Sequence, residues 1–263
     1  MKFSAHIDAL YNELPFAERF EAAKNDGFDY VEIWDWDNKD EAVLKAKLKE
    51  FGLTLSAMSG DKQYDMCNPA HYDVYVAEVK ESIDKAVELG CLNVVIHSNE
   101  LTPAGPVSNS YPELSEAAKL CAMFRCLKAL APYAEEKKVT LVVEPLNIVT
   151  DHMGNFLTSM KQAADLIDAV GSPNVKVLYD IYHMYLNEGK IAEAWDKFLP
   201  EVGYVHFADA PGRHEPGTGV INYSAVFAHM RKIGYLGIIG CELFTTTNTA
   251  DAIAAIKTAA VTL

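Results

Sequence analysis

The sequence predicts a (β/α)8 TIM barrel of α/β class, formed as a single domain over residues 1–263, and three observations point there. Short apolar runs of strand length alternate with longer amphipathic segments about eight times along the chain. The runs are rich in Val, Ile, Leu and Tyr with little polar alternation, as in strands buried on both faces. No glycine-rich turn follows the first run, which reads FSAHIDALY, so an open dinucleotide-binding sheet is disfavoured.

Taken in order, strands are expected at residues 2–6, 30–33, 54–58, 93–97, 140–144, 176–180, 204–207 and 238–242. Helices are expected between them. The first, at 16–25, ends before Asp26-Gly27, the next, at 39–51, before Gly52, and the third, at 72–89, before Gly90. The longest spans 113–138, with apolar residues at helical spacing. Those at 158–170, 191–199 and 223–233 stop at Gly171-Ser172-Pro173, Pro200 and Gly234, and 249–261 closes the series. No Ser/Gly-rich linker or composition break divides the run, and a closed barrel accommodates eight such units.

Composition narrows the function classes. The 263 residues carry a formal net charge of −14, a surface that repels phosphate backbones and argues against nucleic acid as a partner. The five cysteines (Cys67, Cys91, Cys121, Cys126, Cys241) are scattered without a CxxC pair, so buried free thiols in a reducing compartment are expected. MKFSAHIDALYNELPF lacks a long apolar run and a cleavage pattern, and no stretch approaches membrane-span length. A soluble cytoplasmic protein acting on a small molecule, away from membranes, is the expectation.

The chemistry concentrates at strand ends. Glu144 in LVVEPLN, Asp180 in VLYDIYH, His206 in YVHFADA and Glu242 in IIGCELF each stand at or near the C-terminal end of an apolar run. A buried ionised carboxylate is costly unless something neutralises it. In a barrel, strand C-termini form one bowl, where three carboxylates and an imidazole suit one divalent cation: Mn²⁺, Mg²⁺ or Co²⁺. Each residue alone reads equally well as a loop cap or an ion-pair partner; the matching positions on four consecutive strands favour the site.

Around this set, His183, three residues after Asp180 on a turn leaving strand six, is expected to polarise a substrate oxygen. The loop DAPGRHEPGTG at 209–219 is expected to cover substrate, with Arg213 clamping a carboxylate or an anionic intermediate. His97 and His6 lie at the rim, where substrate contact and a structural role are both open, and Asn147 is placed to orient a ligand. Glu32, Trp34 and Trp36 follow the second strand, and the aromatic pair either walls a pocket or packs under a loop, Trp36 reading as packing. His152 divides evenly between substrate and surface roles, while His71, His214 and His229 read as ordinary loop or surface residues.

EPLN at 144–147, YDIYHM at 179–184, HFADAPGRHEPGTGVINY at 206–223 and GCEL at 240–243 closely resemble the hydroxypyruvate isomerase family. That family lies within the xylose-isomerase-like barrel superfamily, alongside ketose 3-epimerases and endonuclease IV-type enzymes. The resemblance covers the whole chain in rhythm and is strong in motif from about residue 140 onward. It implies a divalent metal, Glu144 and Glu242 as acid and base, Asp180 as a metal ligand, and a homo-oligomer, dimer or tetramer. At position 206 this chain has histidine, as the ketose 3-epimerases do, where family members often carry glutamine. The implied reaction is an isomerisation of hydroxypyruvate to tartronate semialdehyde through an enediolate, with ketose 3-epimerisation as the alternative.

Overall fold

Eight parallel strands close on themselves in the order β1 to β8. They are β1 (Lys2–His6), β2 (Tyr30–Glu32), β3 (Thr54–Ser59), β4 (Asn93–Ile96), β5 (Thr140–Val143), β6 (Val175–Asp180), β7 (Val202–His206) and β8 (Ile238–Cys241). The ring closes where β1 pairs with β8, Lys2 opposite Ile238 and Ala5 opposite Cys241. The computed structural model describes residues 1–189 and 191–261. Nine α-helices stand among the described residues: α1 (Phe16–Asn25), α2 (Glu41–Phe51), α3 (Tyr72–Leu89), α4 (Glu116–Lys137), α5 (Met160–Val170), α6 (Ile181–Glu188), α7 (Ile191–Phe198), α8 (Tyr223–Lys232) and α9 (Thr249–Val261). None of them is long and apolar enough to cross a membrane.

Capping chemistry moves several helix starts from their expected positions. The side chains of Asp40, Ser115 and Ser159 each accept backbone N–H groups of the following turn, so α2, α4 and α5 begin right after these caps, at Glu41, Glu116 and Met160, two or three residues past the expected starts. One helix was not anticipated. The stretch expected to be a turn after strand six is α6, capped by Asp180 and closed by Gly189 in a left-handed conformation. The apolar strand runs directly into this helix without a break, which hides its start.

Alternation along the strands decides what faces the bowl. Val142, Leu178 and Tyr204 form a cluster inside the barrel with Ala57 and Val95, while Leu141, Val143, Val177, Tyr179 and Val205 pack outward against the helices. Successive strand residues face opposite sides. Glu144, Asp180 and His206, each two residues beyond an interior one, therefore point inward above that layer. Cys67, Cys91, Cys126 and Cys241 are buried free thiols, but Cys121 is exposed on α4, contrary to expectation, because it falls on the helix face turned from the barrel.

Candidate metal centre and active site

Glu144, Asp180, His206 and Glu242 are all buried and offer one ligand atom each, all within 4.8 Å of one another. A divalent ion with metal–oxygen distances of about 2.0–2.6 Å spans such a group. Two of the inward-facing atoms, Glu144 Oε1 and His206 Nδ1, lie buried without a hydrogen-bond partner. His206 Nδ1 stands 3.1 Å from Glu242 Oε2 and 3.8 Å from Glu144 Oε1, outside hydrogen-bonding geometry. Orphaned buried polar atoms are costly, and their convergence fits a cation held by this set.

Each member is fixed by its own neighbours. Asp180 spends Oδ1 capping α6, accepting from Tyr182 N at 2.7 Å and His183 N at 3.2 Å, and leaves Oδ2 toward the site. Glu144 Oε2 accepts from His97 Nε2 at 3.2 Å. Glu242 accepts from Trp34 Nε1 at 2.8 Å on Oε1 and from Arg213 Nη2 at 2.5 Å on Oε2. His206 Nε2 donates to Glu32 Oε2 at 3.0 Å.

Burial works against ionisation of Glu144, but His206 and His97 outweigh it and hold its pKa below the ordinary carboxylate range. Glu242 shows the same contest, won by Arg213 and His206. Asp180 goes the other way, to about 7, because burial and the Glu144 carboxylate exceed the help from Arg213. Burial disfavours the His97 imidazolium, yet Asp61 and Glu144 lift its pKa to about 10. Burial, reinforced by Arg213, pushes His183 well below its usual value.

These groups open into a cavity of about 750 Å³, walled by His6, His97, Glu144, His183, His206, Arg213 and Glu242 among others. Arg213 hangs over it from the loop after β7, in a left-handed backbone conformation (φ 61°). A non-glycine residue keeps that conformation only when its surroundings hold it. Here Arg213 N donates to Asp209 O and Arg213 O accepts from Phe244 N at 2.9 Å. His6 lies on the wall with its ring 4.7 Å from Trp34 and Nδ1 unpartnered. Asn147, expected to orient a ligand, is fully buried behind the wall, with Nδ2 donating to Asp151 and His183. His152 is on the wall, with Nδ1 donating to Gly105 O at 2.8 Å. His214 donates to Phe244 O, His71 Nδ1 accepts from Asp65 N, and His229 pairs with Asp196 at the surface.

Two groups in this assembly went unassigned in the sequence, Glu32 behind His206 and Asp61 behind His97; Trp34, open between a pocket wall and loop packing, stands on the wall and donates to Glu242. Glu32 was within reach of the same rule, since it is a carboxylate closing the apolar run of β2. Nothing in the local sequence marks Asp61.

A closed parallel barrel with four buried candidate ligands gathered at the C-terminal ends of its strands sets the class, and the chain belongs to the xylose isomerase-like TIM barrel family, matching it over residues 20–259. It is 31% identical over 258 residues to the hydroxypyruvate isomerase of Escherichia coli, covering 95% of each chain. It is 32% identical over 245 residues to the 2-oxo-tetronate isomerase of Cupriavidus necator, covering 92% of each. By class it is an isomerase. Among solved structures, a family 2 AP endonuclease from Brucella melitensis superposes with a TM-score of 0.87 at 26% identity, covering 96% of each chain. D-psicose 3-epimerase of Clostridium cellulolyticum, with D-tagatose, shares the fold at a TM-score of 0.79 and 20% identity, covering 97% of this chain and 90% of that one.

Proposed function

We propose that this protein is a metal-dependent isomerase of a small hydroxy-oxo acid, of the hydroxypyruvate-to-tartronate-semialdehyde or 2-oxo-tetronate type. The observation that carries this is the buried four-ligand cluster at the barrel mouth, in a chain about 30% identical to such isomerases over most of its length. Glu144, Asp180, His206 and Glu242 would hold one Mn²⁺, Mg²⁺ or Co²⁺. When bound, such a cation supplies Lewis-acid polarisation of the substrate carbonyl and eases loss of the adjacent proton. Glu144 and Glu242 are the acid and base: both are ionised in the free site, so each can take up a proton, and the carboxyl that takes one becomes the acid that returns it. Glu144 Oε1 has no protein partner, which leaves it free to face the cation. Arg213, whose Nε is buried and unpartnered, offers a donor to a substrate carboxylate. His97 and His6 shape the pocket wall.

The reading includes a single domain, a homo-oligomer and the cytoplasm, with a small molecule as substrate and neither membrane nor nucleic acid as partner; the charge of −14 supports the last point. A second reading, ketose 3-epimerisation, is favoured by His206 and by a cavity of about 750 Å³, roomy for a three-carbon acid. The deciding experiment supplies metal-stripped protein with Mn²⁺ and either hydroxypyruvate, 2-oxo-tetronate or a ketohexose panel in D₂O, with products followed by NMR. Turnover of a 2-oxo acid with solvent deuterium in the product supports the isomerase. Turnover of a ketohexose alone transfers the assignment to the epimerase. A Glu242→Gln variant keeping most of its activity sinks the acid–base pair.

A further inference from the structure

Asn147 and His183 form a contact that determines what His183 can do. Asn147 lies just beyond β5, and His183 in the first turn of α6; neither is exposed. The carboxamide of Asn147 has an unambiguous orientation. Its Oδ1 accepts from Val149 N at 3.2 Å, Thr150 N at 3.0 Å, Thr150 Oγ1 at 3.2 Å and Asp151 N at 3.3 Å. Backbone N–H groups only donate, so that atom is the oxygen. Its Nδ2 faces the Asp151 carboxylate at 2.8 Å and His183 Nδ1 at 2.6 Å. An amide nitrogen only donates, so His183 Nδ1 must present a lone pair. A proton there would oppose the amide hydrogen at this distance. The remaining nitrogen, Nε2, then carries the ring's hydrogen. It is buried, lacks a hydrogen-bond partner, and lies 3.5 Å from Asp180 Oδ2 and 3.9 Å from Glu144 Oε1, facing the cluster.

We infer that Asn147 is a positioning residue that locks His183 as a neutral imidazole with its hydrogen on Nε2, making His183 a fixed hydrogen-bond donor to a substrate oxygen and barring it from acting as the base. With no lone pair toward the bowl, His183 cannot remove a proton from carbon. Proton traffic is left to the carboxylates, while His183 meets the oxygen on which negative charge grows. A neutral donor also holds its own hydrogen more tightly than an imidazolium does, so it stabilises that oxygen without passing the proton to it. The same Asn147 oxygen gathers residues 149–151, so one side chain shapes the loop after β5 and sets the His183 tautomer.

The consequence for turnover rests on the proposed isomerase reading; the tautomer does not, and the two are tested separately. The full chain labelled with ¹⁵N-histidine, alone and with Mg²⁺, is examined by long-range ¹H–¹⁵N correlation, the His183 signals being those lost in His183→Gln. We expect an unprotonated Nδ1 and a protonated Nε2. A protonated Nδ1 in the unsubstituted protein overturns the inference, whatever the variants do. In Asn147→Asp an acceptor replaces the donor, and Nδ1 should become protonated; a folded variant whose His183 pattern is unchanged also overturns it. With whichever substrate the protein turns over, Asn147→Asp should lower kcat about a hundredfold, as loss of one oxyanion donor does, with KM little changed. Absence of turnover of any candidate substrate, with the expected tautomer present, would refute the functional reading and leave the tautomer assignment standing.

Discussion

His206 donates from Nε2 to Glu32 Oε2 across 3.0 Å, tying the end of β7 to the end of β2 beneath the ligand cluster. The same carboxylate oxygen accepts from Tyr204 OH at 3.0 Å, and Tyr204 OH contacts Ser56 Oγ at 2.9 Å. A carboxylate on the far nitrogen of a ligating histidine fixes its ring and raises its basicity, leaving Nδ1 to face the site. Glu32→Gln keeps the shape and removes the charge. Metal affinity should fall about tenfold to a hundredfold, the usual cost of losing such support, read by calorimetric titration of Mn²⁺ into stripped protein. Unchanged affinity would remove Glu32 from this role.

Gly240 makes room for that pair. A Cβ at position 240 would lie 2.1 Å from Glu32 Oε1 and 2.6 Å from His206 Cδ2, closer than real contacts allow. Both neighbours are buried and engaged, so they have little freedom to move aside. Gly240→Ala should cost about 1–3 kcal/mol, the usual range for overpacking a tight interior. Denaturant unfolding measures that cost, and metal titration should show weaker binding alongside it. Wild-type values in both measurements would contradict the packing account.

Asp209 organises the loop that carries Arg213. Its carboxylate accepts from Ala210 N at 2.9 Å and Ile221 N at 3.0 Å on Oδ1, and from Gly217 N at 2.8 Å and Gly219 N at 2.9 Å on Oδ2. Asp209→Ala leaves these donors without their acceptor, a loss of about 1–3 kcal/mol for each that stays out of water. Arg213 should lose its fixed position over Glu242, so KM for an anionic substrate should rise several-fold, with Asp209→Asn intermediate. Steady-state kinetics on the three proteins checks the order.

Glu41 gives a pH dependence with a definite sign. Hydrogen bonds from Lys45 on its own helix and Lys85 on α3 hold its pKa at about 2, below the ordinary 4.5. A folded pKa below the unfolded one means stabilisation that is complete above about pH 4.5 and lost as the pH falls toward 2. Glu41→Gln should therefore lower the melting temperature slightly at pH 7, the pair being exposed, and the difference should vanish near pH 2 to 3. A deficit that grows on acidification contradicts the assignment.

The barrel is legible in the sequence because strand and helix rhythm is local: apolar runs such as LVV before Glu144, ending at polar residues, and glycines such as Gly52 and Gly90 closing helices. The gathering of Glu144, Asp180, His206 and Glu242 at one mouth is legible too, since parallel strands of a closed barrel present their ends together. The tertiary structure alone decided which atoms of these groups are free. Asn147 donates to His183, 36 residues away, and Trp34 reaches Glu242 across 208. Such pairings depend on strand register, loop path and side-chain rotamer, which no local pattern encodes. The missed α6 has the same origin: whether DIYHMYLNE turns as a helix is set by the Asp180 cap and the packing of Ile181, Tyr182 and Met184 against the barrel, rather than by its apolar pattern.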